Sequence, residues 1–384
     1  MSTFSIEETT QLTGARIVAI GVGGGGGNMI GHMLKENIPG IELIIANTDA
    51  QALAHEAAAM KIQLGAKLTK GLGAGMKPEV GKESAIESYE DLTEALNGAD
   101  IVFVAAGLGG GTGTGAAPII AKCAKESGAL TIAVVTKPFA FEGKKRQKLA
   151  EEGLEELKKE SDSIVVIPND KLLSIIDPKL GLKESFKIVD SVLARAVSGT
   201  SGVILSNGDN DINLDFADLQ TVMQHRGLAL MGTGEHKGEN AAYEAIKNAI
   251  ESPLLDNMSV NGALGVLVHF NINPEFPFME LTAAMEVVQN SVDASADVIF
   301  GTTTDESLPL DYVRITLVAT GFDKKASSGV NNSEFENKEA KAVAATEEAE
   351  KPRIVARPAA RLVASGDYSE DYLDVPTWMR QQRD

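Results

Sequence analysis

The sequence predicts an α/β fold: a doubly wound parallel sheet, then a long central helix and a second, smaller α/β domain. Three observations point there. Short apolar runs recur between helical patterns from Arg16 onward, these runs lack polar alternation, and two of them end in glycine-rich loops that lead into helices. Strands covered on both faces read as continuous apolar runs, and their alternation with helices is the pattern of a parallel sheet.

Taken in order, RIVAIGV (16–22), IELIIAN (41–47), DIVFVAA (100–106), LTIAVVT (130–136) and SIVVIP (163–168) are the predicted strands of the first domain, residues 16–182. KKRQKLAEEGLEELKKE (144–160) is one of its helices. Residues 183–207 follow as the central helix, with Phe186, Val189, Leu193 and Val197 at helical spacing. The polar stretch SNGDNDIN (206–213) then marks a boundary. Beyond it ALGVLVHF (263–270), DVIFGT (297–302) and DYVRITLVAT (311–320) read as strands, with helices over 239–251 and 277–293. Residues 208–321 are thus the predicted second domain.

Residues 1–15 are predicted to be a disordered N-terminal arm. From Phe322 the composition falls to Lys, Glu, Ala, Ser and Asn, which cannot bury enough apolar surface to order itself, so 322–367 is predicted to be a disordered linker. Within 368–384 lie Tyr372, Leu373, Val375, Pro376, Trp378 and Met379, including the only tryptophan. Apolar side chains clustered at the far side of a polar linker read as a peptide that docks on a partner.

Residues 323–367 carry eight acidic and eight basic side chains and 368–384 four and two, which leaves −17 of the −19 formal charge on the first 322 residues. A body that acidic argues against nucleic acid and against anionic lipid as direct partners. The single cysteine, Cys123, reads as a buried structural thiol, and the five histidines show no metal-ligand spacing. MSTFSIEETT lacks the basic and apolar regions of a signal peptide, and no apolar run approaches the length of a membrane span. The expectation is a cytoplasmic protein that does not insert into membrane.

The first strand ends in GVGGGGGN (21–28). Gly21-x-Gly23-x-x-Gly26 fits the dinucleotide fingerprint, with Asp49 at roughly the distance of a ribose ligand, so a nicotinamide-dependent oxidoreductase is one reading. No acid–base centre for hydride transfer accompanies it. The third run ends in GLGGGTGTG (107–115), before a helix. Consecutive bare amides at a helix N-terminus make an anion cradle, and Thr112 and Thr114 add hydroxyls, so this loop is predicted to bind phosphate. The usual phosphate loop of nucleotide hydrolases is absent: GKES (81–84) has Glu where Ser or Thr follows the lysine.

GGGTGTG resembles the signature of the tubulin/FtsZ superfamily. ANTDAQAL (46–53), GLGAGMKPEVG (71–81), TKPFAFEGKKR (136–146), IPNDKLL (167–173) and NLDFADL (213–219) are similar to family loops in family order, and the similarity extends from Arg16 to Thr320. SNGDNDI before Asn213 departs from the family's usual approach to that loop. The resemblance implies a GTP-dependent filament-forming GTPase of bacterial cytokinesis, with GTP/GDP and Mg²⁺ as ligands. Its implied partners are itself, head to tail, and membrane-tethering and regulatory division proteins through the C-terminal peptide. A GTP-binding structural protein with little turnover is the alternative.

Phe186 and Asp190 are spaced i, i+4 and share a helix face. An aromatic ring there can stack on a base while a carboxylate accepts the two N–H groups of guanine's Watson–Crick edge, a pair that adenine lacks. The resemblance implies base contacts at Asn28 and Asn169 too, a ribose contact at Glu142 and a sugar–phosphate contact at Arg146. It also implies main-chain contacts to phosphate from Gly24, Gly25, Gly26, Gly27, Ala74, Gly110, Gly111, Thr112 and Gly113, with no direct protein ligand for the metal. No base for activating water stands out near these loops. The resemblance assigns that task to Asn213, Asp215 and Asp218, inserted into the site of the neighbouring subunit; taken alone, an Asp at a helix start is an ordinary cap.

Overall fold

The computed structural model describes residues 15–322 except 37, 39, 57, 59, 173–178, 206–211, 213–214, 226 and 256–259, and all the described residues fall in one compact unit, Met1–Gly329. The expected linker and docking peptide, with Tyr372, Leu373, Val375, Pro376, Trp378 and Met379, lie outside the described residues, as does Asn213.

The first half alternates β1 (Ile17–Val22), α1 (Gly23–Glu36), β2 (Ile41–Asn47), α2 (Ala50–His55), β3 (Met60–Gln63), α3 (Ala66–Thr69), α4 (Pro78–Glu87), α5 (Tyr89–Leu96), β4 (Ile101–Gly107), α6 (Thr112–Glu126), β5 (Leu130–Lys137), α7 (Lys144–Glu160), β6 (Ser163–Pro168) and α8 (Asn169–Leu172). Then come α9 (Leu182–Leu205), α10 (Phe216–Met223), β7 (Gly227–Lys237), α11 (Ala241–Ile250), β8 (Gly265–Ile272), α12 (Phe278–Ser291), β9 (Asp297–Thr304) and β10 (Tyr312–Phe322).

One ten-stranded sheet has the order β3-β2-β1-β4-β5-β6-β7-β10-β8-β9. Strands β1 to β6 are mutually parallel, and β10 is antiparallel to both β7 and β8. The apolar runs are continuous because each strand feeds two cores. Ile17 and Ala19 of β1 face α1 and α9, whereas Val18, Ile20 and Val22 face the layer of α5, α6 and α7; Phe103 and Val104 of β4 divide in the same way. Phe103 is fully buried, and Phe103→Ala would cost about 3–5 kcal/mol. A third core lies under α11 and α12, against β7, β8 and β10.

All five strands read from the apolar runs of the first half are present. Two strands escape that reading. Met60–Gln63 is a four-residue edge strand with little apolar content, and β7 is interrupted by Gly232 and Gly234, which lie directly beneath α11. At the far end, β10 runs through Phe322, which is buried, so ordered structure extends one residue into the expected linker.

The sheet order 3-2-1-4-5-6 reverses direction between β1 and β4. In open α/β sheets ligands bind outside the carboxyl ends of strands at such a switch point. Both glycine loops leave the sheet there: α1 starts directly after Val22 and α6 five residues after Gly107.

Candidate nucleotide site

A cavity of ≈ 380 Å³ opens at the switch point. From α1 it receives Gly24, Gly25 and Asn28; from the second glycine loop and the start of α6, Gly110, Gly111, Thr112 and Gly113. Glu142 and Arg146 line it beside β5, Asn169 lines it at the end of β6, and Phe186 and Asp190 complete it from α9. These residues span more than 160 positions of chain, and the parallel strands deliver them to one edge of the sheet. Gly26, Gly27 and Ala74 stand behind this surface, outside the lining.

The glycines divide into two kinds. A Cβ at Gly113 would sit 2.5 Å from the Gly107 carbonyl oxygen, and one at Gly26 would sit 2.3 Å from that of Ala105. Gly109, at φ +94°, passes the Arg146 carbonyl, and Gly111 is closed off by Ala74. These positions are bare because the protein's own backbone crowds them, so the number of glycines alone does not argue for a ligand. Gly24 and Gly110 differ: a Cβ at either would meet nothing within 4 Å, and both face the cavity. Of the two loop hydroxyls, Thr114 is buried and accepts a hydrogen bond from the Gly109 N–H at 2.8 Å. It shapes the loop and offers no phosphate contact. Thr112 lines the cavity with its Oγ1 hydrogen-bonded to Thr48 Oγ1 at 2.6 Å.

At the other end of the cavity the polar groups lack partners. Asn169 is 6% exposed, and its Oδ1 is buried with no hydrogen-bond partner. The Asp190 carboxylate makes no hydrogen bond or ion pair with any described residue, and it is pushed up to about 6, chiefly by burial and secondarily by the charge of Glu56, with Lys35 opposing. A buried acceptor and a desolvated carboxylate without donors are costly unless a ligand supplies the donors. The Phe186 ring is 37% exposed and meets Phe139 edge-on, with centroids 5.6 Å apart, so an aromatic surface is available beside that carboxylate. These residues fit a flat ligand that carries N–H donors.

Glu142 and Arg146 form an ion pair across one turn, and Glu142 Oε1 also accepts the Phe139 N–H at 2.9 Å. Asp49, at the expected distance of a ribose ligand, is committed elsewhere: its Oδ1 caps α2, accepting the amides of Gln51 at 2.9 Å and Ala52 at 3.1 Å, and it does not line the cavity. Among the described residues no group of three or more His, Cys, Asp or Glu side chains could hold a metal ion.

Asp215 and Asp218 are elsewhere. Neither lines the cavity of its own chain, which touches only the N-terminal half of α9, a helix about 36 Å long. Asp215 occupies the N-cap position of α10 but makes no capping bond, and Asp218 stands exposed in the first turn. The carboxylate of neither makes a hydrogen bond or ion pair with another described residue; their backbones are joined by the Asp218 N–H donating to the Asp215 carbonyl at 3.2 Å. The capping role that a sequence would assign by default is not performed.

Comparison with known proteins agrees with this architecture. Residues 16–177 match the GTPase domain of the Tubulin/FtsZ family, and residues 227–323 match the C-terminal domain of the FtsZ family. The chain is 45% identical over 387 aligned residues to the cell division protein FtsZ of Helicobacter pylori strain J99, covering 99% of this chain and 96% of that one. It is similar to a solved empty FtsZ dimer from M. jannaschii, at 46% identity and TM-score 0.77 over 81% of this chain and 89% of the other. The fold is shared with CetZ2 from Haloferax volcanii, at 20% identity and TM-score 0.69 over 86% of this chain and 98% of that one. With a matching relative over nearly its whole length and both family domains in order, the chain belongs to the Tubulin/FtsZ family.

Proposed function

We propose that this filament-forming GTPase of cell division completes its hydrolytic site across the contact between successive subunits. Asp215 and Asp218 of one chain, with Asn213, serve the nucleotide of the next. The observation that carries the reading is a separation of chemistry. The phosphate end of the cavity is lined by glycines and Thr112, with no carboxylate; Asp190 stands at the base end, and Glu142 is engaged with Arg146 and the Phe139 amide. Two carboxylates without partners among the described residues are exposed at the start of α10. Attack of water on the γ-phosphate needs a group that orients it and accepts its proton, and among the described residues no uncommitted carboxylate lines that end of the cavity, which supports a group supplied by the neighbouring chain.

On this reading the amides of Gly24, Gly25, Gly110, Gly111 and Gly113 hold the phosphates, and Gly26, Gly27 and Ala74 support the cradle from behind. Phe186 stacks on guanine, Asp190 accepts its two N–H groups, and Asn28 and Asn169 complete the base contacts. Glu142 holds the ribose and Arg146 reaches the sugar–phosphate side. Mg²⁺ bound with the nucleotide would neutralise its phosphate charge; among the described residues no group of three or more His, Cys, Asp or Glu is placed to hold it. Residues 16–182 are the nucleotide-binding part, the helix over 183–207 the connection, and 208–321 the part that activates the neighbour.

Likeness to a solved dimer supports self-association, and a head-to-tail contact does not close on itself and so extends into a filament. Leu72, Met76 and Phe141 supply exposed apolar surface on the loops beside the cavity. No helix among the described residues is long and apolar enough to cross a membrane. We infer that the filament reaches the membrane at the division site through a tethering protein bound to residues 368–384. Phosphate release measured against protein concentration tests the in-trans site. Turnover per chain should rise steeply above a threshold concentration, and a rate per chain independent of concentration would return hydrolysis to the single subunit. Tight GTP binding with no release at any concentration would favour the structural alternative.

A further inference from the structure

An apolar groove of ≈ 410 Å³ opens at the amino ends of β2 and β3, away from the edge of the sheet that holds the nucleotide cavity. Its walls include Leu34 of α1, Ile38 just past it, Ile41 and Leu43 of β2, and Met60 at the start of β3. Ile38, Ile41 and Leu43 are only partly buried, and Met60 is 44% exposed. Glu42 is the one charged residue among those described that line the groove, and it is already matched: Arg16 Nε donates to its Oε1 at 2.9 Å and Arg16 Nη2 to its Oε2 at 2.6 Å. What the groove offers an occupant is therefore apolar surface.

We propose that the occupant is the chain's own N-terminal arm, with Phe4 and Ile6 seated in this groove. Residues 1–14 lie outside the described ones, and the chain enters the described structure at the groove's rim. Arg16, which holds the groove residue Glu42, is itself fixed there, its backbone N–H donating to Asp100 Oδ2 at 2.7 Å. Ile17 is in register with Ile41, so the groove wall stands one strand spacing, about 4.8 Å, from β1. The nine residues between Ile6 and Arg16 can span about 30 Å when extended, ample to turn back over it. Phe4 and Ile6 flank Ser5, so an extended segment turns both apolar side chains to one face. Composition gives the arm no structure of its own, and the groove supplies the apolar surface on which such a segment can order. Two arguments favour the arm over a separate partner. A groove of this size takes one or two side chains, far short of the ~800 Å² per partner that a stable interface buries. A segment tethered at the rim also competes at an effective concentration of about millimolar.

The test uses the full chain without GTP. Phe4→Trp combined with Trp378→Phe leaves a single tryptophan on the arm. Its emission should be blue-shifted relative to a peptide of residues 1–14 carrying the same substitution, and the shift should not depend on protein concentration. Adding Ile38→Glu, which puts an uncompensated charge in the apolar wall, should abolish the shift. Deletion of residues 2–12 from the otherwise unaltered chain removes no described residue, so it tests the contact even if Ile38→Glu fails to fold. It should lower Tm by about 2–4 °C and raise binding of the apolar dye ANS, because the groove is then uncovered. Emission equal to that of the peptide, or a Tm unchanged by the deletion, would overturn the proposal. A blue shift that survives Ile38→Glu would place the arm elsewhere on the body. A shift lost on dilution would give the groove to a second copy of the chain and overturn the assignment to its own arm.

Discussion

Phe186 and Asp190 stand one turn apart on α9, and both line the cavity that Asn28 closes from the first turns of α1. The ring presents an apolar surface beside a carboxylate that has no partner among the described residues. This pairing divides the work: stacking contributes affinity for any base, and the carboxylate contributes choice among bases.

Asp190→Ala should therefore lower the preference for GTP over ATP by one to two orders of magnitude, about 1.4 kcal/mol for each factor of ten, while retaining measurable stacking on Phe186. Competition of the two nucleotides for the stripped protein checks this, and an unchanged preference would mean that another residue reads the base.

The same carboxylate predicts a pH dependence of binding. Its carboxyl lies at about 6 in the free protein, and only the ionised form accepts two N–H groups. Bound guanine stabilises the charged form and so lowers that value. Affinity for GDP should be full above pH 6 and should fall by about ten-fold per unit as the pH drops below it. Calorimetric titration between pH 5 and pH 8 checks the slope, and Asp190→Asn should flatten it.

Asp218→Ala should reduce GTP turnover by about 10²-fold or more while leaving GTP affinity near that of the parent, because the residue is absent from its own chain's cavity. Mixed with the parent protein, the variant should depress turnover in proportion to the contacts it enters. Loss of nucleotide binding by the single variant would contradict the shared site.

The two kinds of glycine predict opposite outcomes for one small change. Gly113→Ala must displace the Gly107 carbonyl and should lower stability by about 1–3 kcal/mol, seen as a drop in Tm without nucleotide. Gly110→Ala meets nothing within 4 Å and should leave that Tm unchanged, with its effect confined to nucleotide affinity.

Deletion of residues 371–384 should leave GTPase activity and assembly intact and abolish binding to a membrane-tethering division protein. Trp378 is the only tryptophan, so its emission should be red-shifted in the free protein and shift to the blue when the partner is added. A blue, buried spectrum without partner would show that the peptide docks on its own chain.

Residue pattern alone determined the parallel sheet, its glycine-loop edge and the helical face shared by Phe186 and Asp190. Those features are local: a strand buried on both faces must be apolar at every position, and an i, i+4 pair meets whatever the helix packs against. The strand Met60–Gln63 and the glycine-interrupted β7 were hidden because their places depend on neighbours, β2 in one case and α11 in the other. Only the tertiary structure separated glycines that yield to backbone from those that face the cavity, turned Thr114 inward, and committed Asp49 to α2. It alone brought Asn28 of α1 to the same cavity as Phe186 and Asp190 of α9, because apposition across more than 150 residues of chain is set by how the two helices pack and leaves no periodic trace in the sequence.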